Sequence, residues 1–185
     1  RGDFVDSTLH RAVQEAFDNN LPEKAAQFLT ALRDLRGADV SAQLEKAHVA
    51  AAEKLFTRGK YEDAAAAYTQ LTQEYPAVRE HWRELGTLYL YLDREKDARA
   101  AFERYVGDST GREAAERHDH VAERAVRAAR FDVALEAWRR AIELAPGWQG
   151  VHLKLADLLY RQNLDDEAFR VLDASLATNK GAADF

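Results

Sequence analysis

Trp82-Arg83-Glu84-Leu85-Gly86-Thr87-Leu88-Tyr89, followed by Ala98 and Phe102, is the stretch that decides the architecture. Trp82, Leu85, Gly86 and Tyr89 recur at spacings of three and four and so share one face of a helix, and Ala98 and Phe102 do the same after a break at Asp93-Arg94. The pair then recurs along the chain. Thirty-four residues back stand Ala64 and Tyr68, after the turn Arg58-Gly59-Lys60-Tyr61 and before Pro76. Thirty-six residues forward stand Ala134 and Trp138, with Ala141 and Pro146 behind them, and 34 further on stand Ala168 and Leu172. A looser copy, Ala25 and Leu29 beside Pro22, lies 39 residues before Ala64. A fixed period of this length means one supersecondary unit repeated, each copy burying its apolar stripe on the next.

The spacing of Trp82, Leu85, Gly86, Tyr89, Ala98 and Phe102 resembles the tetratricopeptide (TPR) signature, and the resemblance covers nearly the whole chain. It implies an all-α fold, a TPR-type right-handed superhelical solenoid of about five helix-turn-helix repeats, here spanning 6–39, 41–78, 79–112, 113–148 and 149–182 of a single 1–185 array. The expected core is Leu85, Gly86, Tyr89, Ala98, Phe102, Ala64, Tyr68, Ala134, Trp138, Ala141, Leu155, Leu159 and Ala168. Intra-hairpin links of two residues, Asp93-Arg94 and Asn163-Leu164, make successive helices antiparallel neighbours. The absence of methionine marks the chain as a piece of a longer or processed protein.

Composition narrows the function. The chain has 32 acidic and 26 basic residues for a net charge of −6, which opposes a polyanion at long range and argues against nucleic acid. It holds no cysteine, which removes disulfides, thiolate zinc sites and cysteine nucleophiles. No apolar run reaches the roughly 18 residues of a membrane span, and Arg1-Gly2-Asp3-Phe4 has no signal-peptide architecture. The Arg1-Gly2-Asp3 tripeptide is read as a coincidence. No phosphate loop, nucleophile elbow or zinc-protease motif occurs, and no cofactor is expected.

Two clusters compete as chemistry. His118-Asp119-His120 is the first, but His48, His118 and His152 fill the slot that Trp82 fills in the third repeat and are read as packing residues. Glu116, His120 and Glu123 share a helical face, the spacing a metal would need, yet such residues are common on any solvated helix, and no metal site is expected. The second is a ladder of Glu53, Glu123 and Asp157, with Thr87 in the same first-helix slot of the third repeat. Its rungs would sit roughly 10 Å apart, too open for a glycosidase pair, so a sugar-binding or glycosidase-like groove is only the distant alternative.

In the resembled family, first helices line a concave surface. The resemblance therefore implies a partner-binding groove of Glu53, Phe56, Arg83, Thr87, Leu90, Tyr91, Glu123, Arg127, Asp157, Tyr160 and Arg161, aromatic in patches and edged by mixed charge. Such a surface suits a segment of another protein. The basic clamp that TPR co-chaperones use on heat-shock protein tails is not reproduced, since the slots hold Val49, Glu53, Arg83, Glu84 and Glu116. The chain is thus expected to be a non-catalytic protein-interaction scaffold. Its cysteine- and methionine-free, Ala/Arg/Glu-rich style is similar to repeat regions of bacterial exopolysaccharide-export proteins, which implies a periplasmic site; a cytoplasmic adaptor is the alternative. Phe169, Leu172 and Leu176 form a stripe on a last helix expected over 165–178, an exposed face suited to self-association or a following repeat.

Overall fold

The computed structural model describes the backbone of residues 2–183 and the side chains of residues 7–178, so the side chains of Arg1-Gly2-Asp3 and those beyond Thr178 lie outside the described residues. The described residues form ten helices and no strand: α1 (Gly2–Asp18), α2 (Pro22–Arg36), α3 (Ser41–Thr57), α4 (Tyr61–Glu74), α5 (Arg79–Tyr91), α6 (Glu95–Val106), α7 (Gly111–Arg127), α8 (Phe131–Leu144), α9 (Gln149–Arg161) and α10 (Asp165–Ala183). This is the tetratricopeptide-like helical-repeat fold expected from the signature. The last helix runs on to Ala183 instead of stopping near Thr178, because no helix breaker precedes Gly181.

Each hairpin turns the same way for the same reason. Asn20, Gly59, Asp93, Ala129 and Asn163 all adopt left-handed backbone, with φ of 54°, 73°, 58°, 56° and 59°. The residue after each donates its N–H to a carbonyl five residues back: Leu21 to Ala16, Lys60 to Leu55, Arg94 to Tyr89, Arg130 to Ala125 and Leu164 to Leu159, at 2.8–3.0 Å. This closes the helix end and turns the chain back on itself. Three of the five residues are Asn or Asp and one is Gly, the types that tolerate this region; Ala129 is the exception. Pro76 and Pro146 follow Tyr75 and Ala145, whose non-helical backbone ends α4 and α8.

The chain divides into two compact units, 1–88 and 89–185, with the boundary inside α5. In the first, α1 packs on α2 and α2 on α3 around Ala25, Leu29, Leu32, Leu44 and Ala47, with Leu9, Val13 and Phe17 of α1 turned onto this cluster, and α3 packs on α4. In the second, α6 packs on α7, α7 on α8, α8 on α9 and α9 on α10. Alanines with no exposed surface, among them Ala64, Ala98, Ala122, Ala125, Ala134 and Ala141, stand where the helices pack most closely. Of the expected core all residues are buried except Tyr89, which is half-buried beneath the Arg94 guanidinium, 4.4 Å from its ring centre.

Candidate partner-binding site

In the first unit, Glu53 stands exposed on α3 and Phe56 is half-buried against Tyr61, ring centres 5.5 Å apart. Arg83 on α5 is half-buried and donates from Nε and Nη2 to Glu84 at 3.0 Å. Thr87 departs from the expected groove wall. It is 3% exposed, and its hydroxyl donates to the Arg83 carbonyl of its own helix at 2.8 Å.

In the second unit Leu90 is likewise interior, 1% exposed. The turn after α7 lies against it: Arg130 Nε donates to the Leu90 carbonyl at 3.2 Å and pairs with Asp93 at 2.9 Å, while the half-buried Tyr91 donates its hydroxyl to the Arg127 carbonyl at 3.3 Å. Thr87 and Leu90 therefore build the scaffold and present nothing to a partner. Arg127, Asp157, Tyr160 and Arg161 do stand exposed, with Tyr160 at 64% and Arg161 paired with Asp157 at 2.7 Å one turn away.

The acidic ladder is not bare. Lys154 of α9 sends its ammonium to both carboxylate oxygens of Asp119 at 2.9 and 2.8 Å and to Glu123 at 2.8 Å. Asp119, 6% exposed, also accepts from the Trp138 indole N–H at 2.8 Å. One buried carboxylate thus ties α7, α8 and α9 together. Burial works against the charged ammonium of Lys154, but its bonds to Asp119 and Glu123 outweigh that and hold its pKa above the usual lysine value. A glycosidase places its sugar between two carboxyl groups; here Lys154 fills the space between Asp119 and Glu123.

Sequence reasoning passed over Lys154 and took Asp119 only as the middle of a histidine cluster. The signal was an acid in a slot that holds Val49, Arg83 and Leu153 in other repeats, with a lysine 35 residues on. It also missed His81, 4% exposed, whose Nε2 lies 3.0 Å from Glu45 between the rings of Tyr68 and Tyr75.

Glu116, His120 and Glu123, which share a helical face, take separate partners. Glu116 accepts from Arg112 at 3.0 Å, His120 Nδ1 meets the Tyr105 hydroxyl at 2.7 Å, and Glu123 goes to Lys154. Of the three histidines expected to pack, His152 is 3% exposed and His118 half-buried, whereas His48 is half-buried and lies 3.9 Å from Glu74. Trp148 covers the start of α7, with the Arg112 guanidinium 3.7 Å over its ring.

A cleft lies beside α7. The cleft, ≈ 970 Å³, runs between α6 and α8 over Phe102, Val121, Val133 and His118. Arg99 spans it to Glu136, Arg140 pairs with Glu143 at 2.6 Å, and Arg139 reaches Glu167 at 2.8 Å. Burial, and then Arg140, push the His118 pKa below its ordinary value against the opposing pull of Glu136 and Glu143.

Ten helices paired into hairpins of one plan define a helical-repeat protein. The family profile described as tetratricopeptide repeat matches residues 49–115 and 122–183, and the chain belongs to that family. No curated protein matches it. Among solved structures it is similar to MamA (41-end) from Desulfovibrio magneticus RS-1, 15% identical, covering 96% of each chain at a TM-score of 0.55. It is also similar to pilF of Pseudomonas aeruginosa, 16% identical, covering 96% of this chain and 78% of that one at a TM-score of 0.52. At such identities the likeness is one of fold. Proteins of this fold generally mediate protein–protein interaction, and no helix among the described residues is long and apolar enough to cross a membrane.

Proposed function

We propose that this chain is a non-catalytic docking scaffold that holds a partner protein against the first helices of its hairpins. In the first unit the contact residues are Glu53, Phe56 and Arg83; in the second they are Tyr91, Glu123, Arg127, Asp157, Tyr160 and Arg161. The observation that carries the reading is the exposure of Tyr160 beside the Asp157–Arg161 pair, an aromatic anchor with charge of both signs next to it. Aromatic anchors supply binding energy, and flanking charges select the partner and speed encounter. A place in a bacterial envelope polysaccharide-export assembly, on the periplasmic side, is the biological setting we propose from composition; a cytoplasmic adaptor is the alternative, and fractionation of the native protein separates them.

The test is capture of partners by the chain and by a Glu53→Lys, Asp157→Lys, Tyr160→Ala variant. Both reversed carboxylates are exposed, so circular dichroism should be unchanged. We expect the captured partner to be lost or to associate at least about tenfold more slowly. Equal capture would move the interaction to another face.

A further inference from the structure

The cleft between α6 and α8 is framed by second helices, and none of the residues placed in the partner surface above lines it. Its polar groups are unevenly used. Each arginine lining it is engaged: Arg99 by Glu95 and Glu136, Arg139 by Glu167 and Arg140 by Glu143. Glu136 and Glu143 are consumed in those pairs. The other two acids of the walls, Glu103 and Asp132, are exposed, and their carboxylates make no ion pair or hydrogen bond among the described residues. The floor adds a third open acceptor. Burial and Arg140 hold the His118 pKa below its ordinary value, so at neutral pH the ring is uncharged and one nitrogen accepts; neither ring nitrogen is hydrogen-bonded among the described residues. With its donors occupied and its acceptors open, the cleft is complementary to a cation that brings N–H groups.

Spacing and polarity narrow the occupant. In the repeat frame that sets Ala134 against Ala98, Asp132 takes the slot of Lys96, seven residues before Glu103. The two carboxylates therefore stand on different walls and roughly 10 Å apart along the helix axes. The Arg99–Glu136 pair crosses the cleft between their levels and ties α6 to α8, so cations enter on either side of it. Between the acids the lining is apolar, with Phe102, Val121 and Val133 buried and Val106 and Leu135 half-buried. A single-centre amine cannot reach both carboxylates, and a polyamine that could would bring no apolar side chain to this lining. A peptide does both. Lysine and arginine lay their methylenes on apolar surface while the charged head reaches a rim, and leucine-like side chains between them cover the floor. The volume of ≈ 970 Å³ holds several such side chains.

We propose that the α6–α8 cleft docks a basic amphipathic segment of another protein, its lysines or arginines on Glu103 and Asp132 and its apolar side chains on the floor between them. The test is fluorescence anisotropy with the full chain and three labelled peptides of about 14 residues, four helical turns: leucine–lysine in amphipathic order, leucine–glutamate in the same order, and serine–lysine of the same charge. The leucine–lysine peptide should bind at least about tenfold more tightly than either of the others. Glu103→Lys with Asp132→Lys should weaken it at least about tenfold and turn the preference towards leucine–glutamate. The milder pair Glu103→Gln with Asp132→Asn, which puts no positive charge at the start of α8, should weaken it in the same direction. Glu62→Lys with Glu80→Lys makes the same change of charge at exposed acids of the first unit and should weaken it less than about twofold at physiological salt. Equal binding of the serine–lysine peptide, displacement by equimolar spermidine, or equal weakening by the two lysine pairs would reduce the effect to attraction of any polycation by an acidic chain and overturn the proposal. So would absence of binding, or binding that survives both cleft variants with circular dichroism unchanged. The first-helix residues are untouched, so this test and the capture experiment fail independently.

Discussion

The fourth and fifth hairpins are built to one plan 34 residues apart, yet their equivalent slots meet different surroundings. On α7 and α8, Asp119 is sealed beneath Lys154 and Trp138, and Leu135 and Ile142 are half-covered. On α9 and α10, Leu153, Phe169 and Leu176 stand about three-fifths bare. The comparison teaches that in a one-dimensional stack a residue's burial is set by what packs against it, as much as by its slot. The joint between α7 and α9 holds a buried charge because Lys154 of α9 brings the counter-charge, whereas on α9 the slot of Asp119 holds Leu153.

The largest expected effect comes from opening the covered joint. Lys154→Met leaves the Asp119 carboxylate buried with only the Trp138 N–H. Removing one partner of a buried ion pair costs about 3–5 kcal/mol; because Lys154 is 38% exposed, solvent softens this to roughly 2–3 kcal/mol. Arg161→Met on the open hairpin breaks an ion pair of similar length between exposed side chains, and about 0.5 kcal/mol or less should follow. Urea denaturation of both variants checks the contrast. Equal losses would mean that Asp119 finds another partner and the joint is not locked by Lys154.

This contrast also marks what the sequence could reveal. The recurring Ala98/Phe102 pair falls on α2, α4, α6, α8 and α10 and marks buried positions on each, because a packing slot constrains residue size in each copy. The Asp119–Lys154 contact belongs to one joint alone and has no period to betray it. Thr87 and Leu90 show the same limit from the other side. Thr87 sits in a slot that is exposed at Glu53 and Asp157, and Leu90 in one that is half-buried at Phe56 and exposed at Tyr160; only the three-dimensional packing of α5 takes them out of the candidate groove. Turn chemistry was legible wherever Gly, Asn or Asp took the left-handed position, and silent at Ala129.

A smaller effect should come from the turns. Ala129 joins α7 to α8 with φ of 56°, where the Cβ of an L-residue crowds the backbone; Asn163 holds the equivalent place between α9 and α10 at 59°. Ala129→Gly removes a strain of about 1–2 kcal/mol and adds up to about 1 kcal/mol of unfolded-state entropy cost, so a net gain of about 0.5–1 kcal/mol is expected. Asn163→Gly should change stability by only a few tenths, because asparagine already tolerates this region. Thermal unfolding of the two variants decides it, and a destabilised Ala129→Gly would show that the turn is not strained.

The smallest effect is electrostatic and separates His118 from the residue in its slot one repeat on, His152, which is buried with Nδ1 3.1 Å from the Trp148 carbonyl oxygen. His118 lies at the floor of the α6–α8 cleft with its pKa depressed by burial and by Arg140, while Glu136 and Glu143 pull the other way. A group whose folded pKa is lowered binds its proton later in the folded chain than in the unfolded one. The folded state is therefore unpenalised above the ordinary histidine value of 6.5 and loses stability as pH falls below it, until the lower folded value is passed. His118→Gln removes this slope. Because His118 is only half-buried, solvent screening keeps the loss well under 1 kcal/mol, or about 1–2 °C in Tm for a chain of this length. The reading is the difference in Tm between the chain and its His118→Gln variant at pH 7.5 and pH 5, in which His81, His48 and the carboxylates cancel because both proteins carry them. The variant should gain on the parent as pH falls. A difference that stays constant, or that moves in favour of the parent, would mean that Glu136 and Glu143 govern the ring and that the cleft stabilises the protonated histidine.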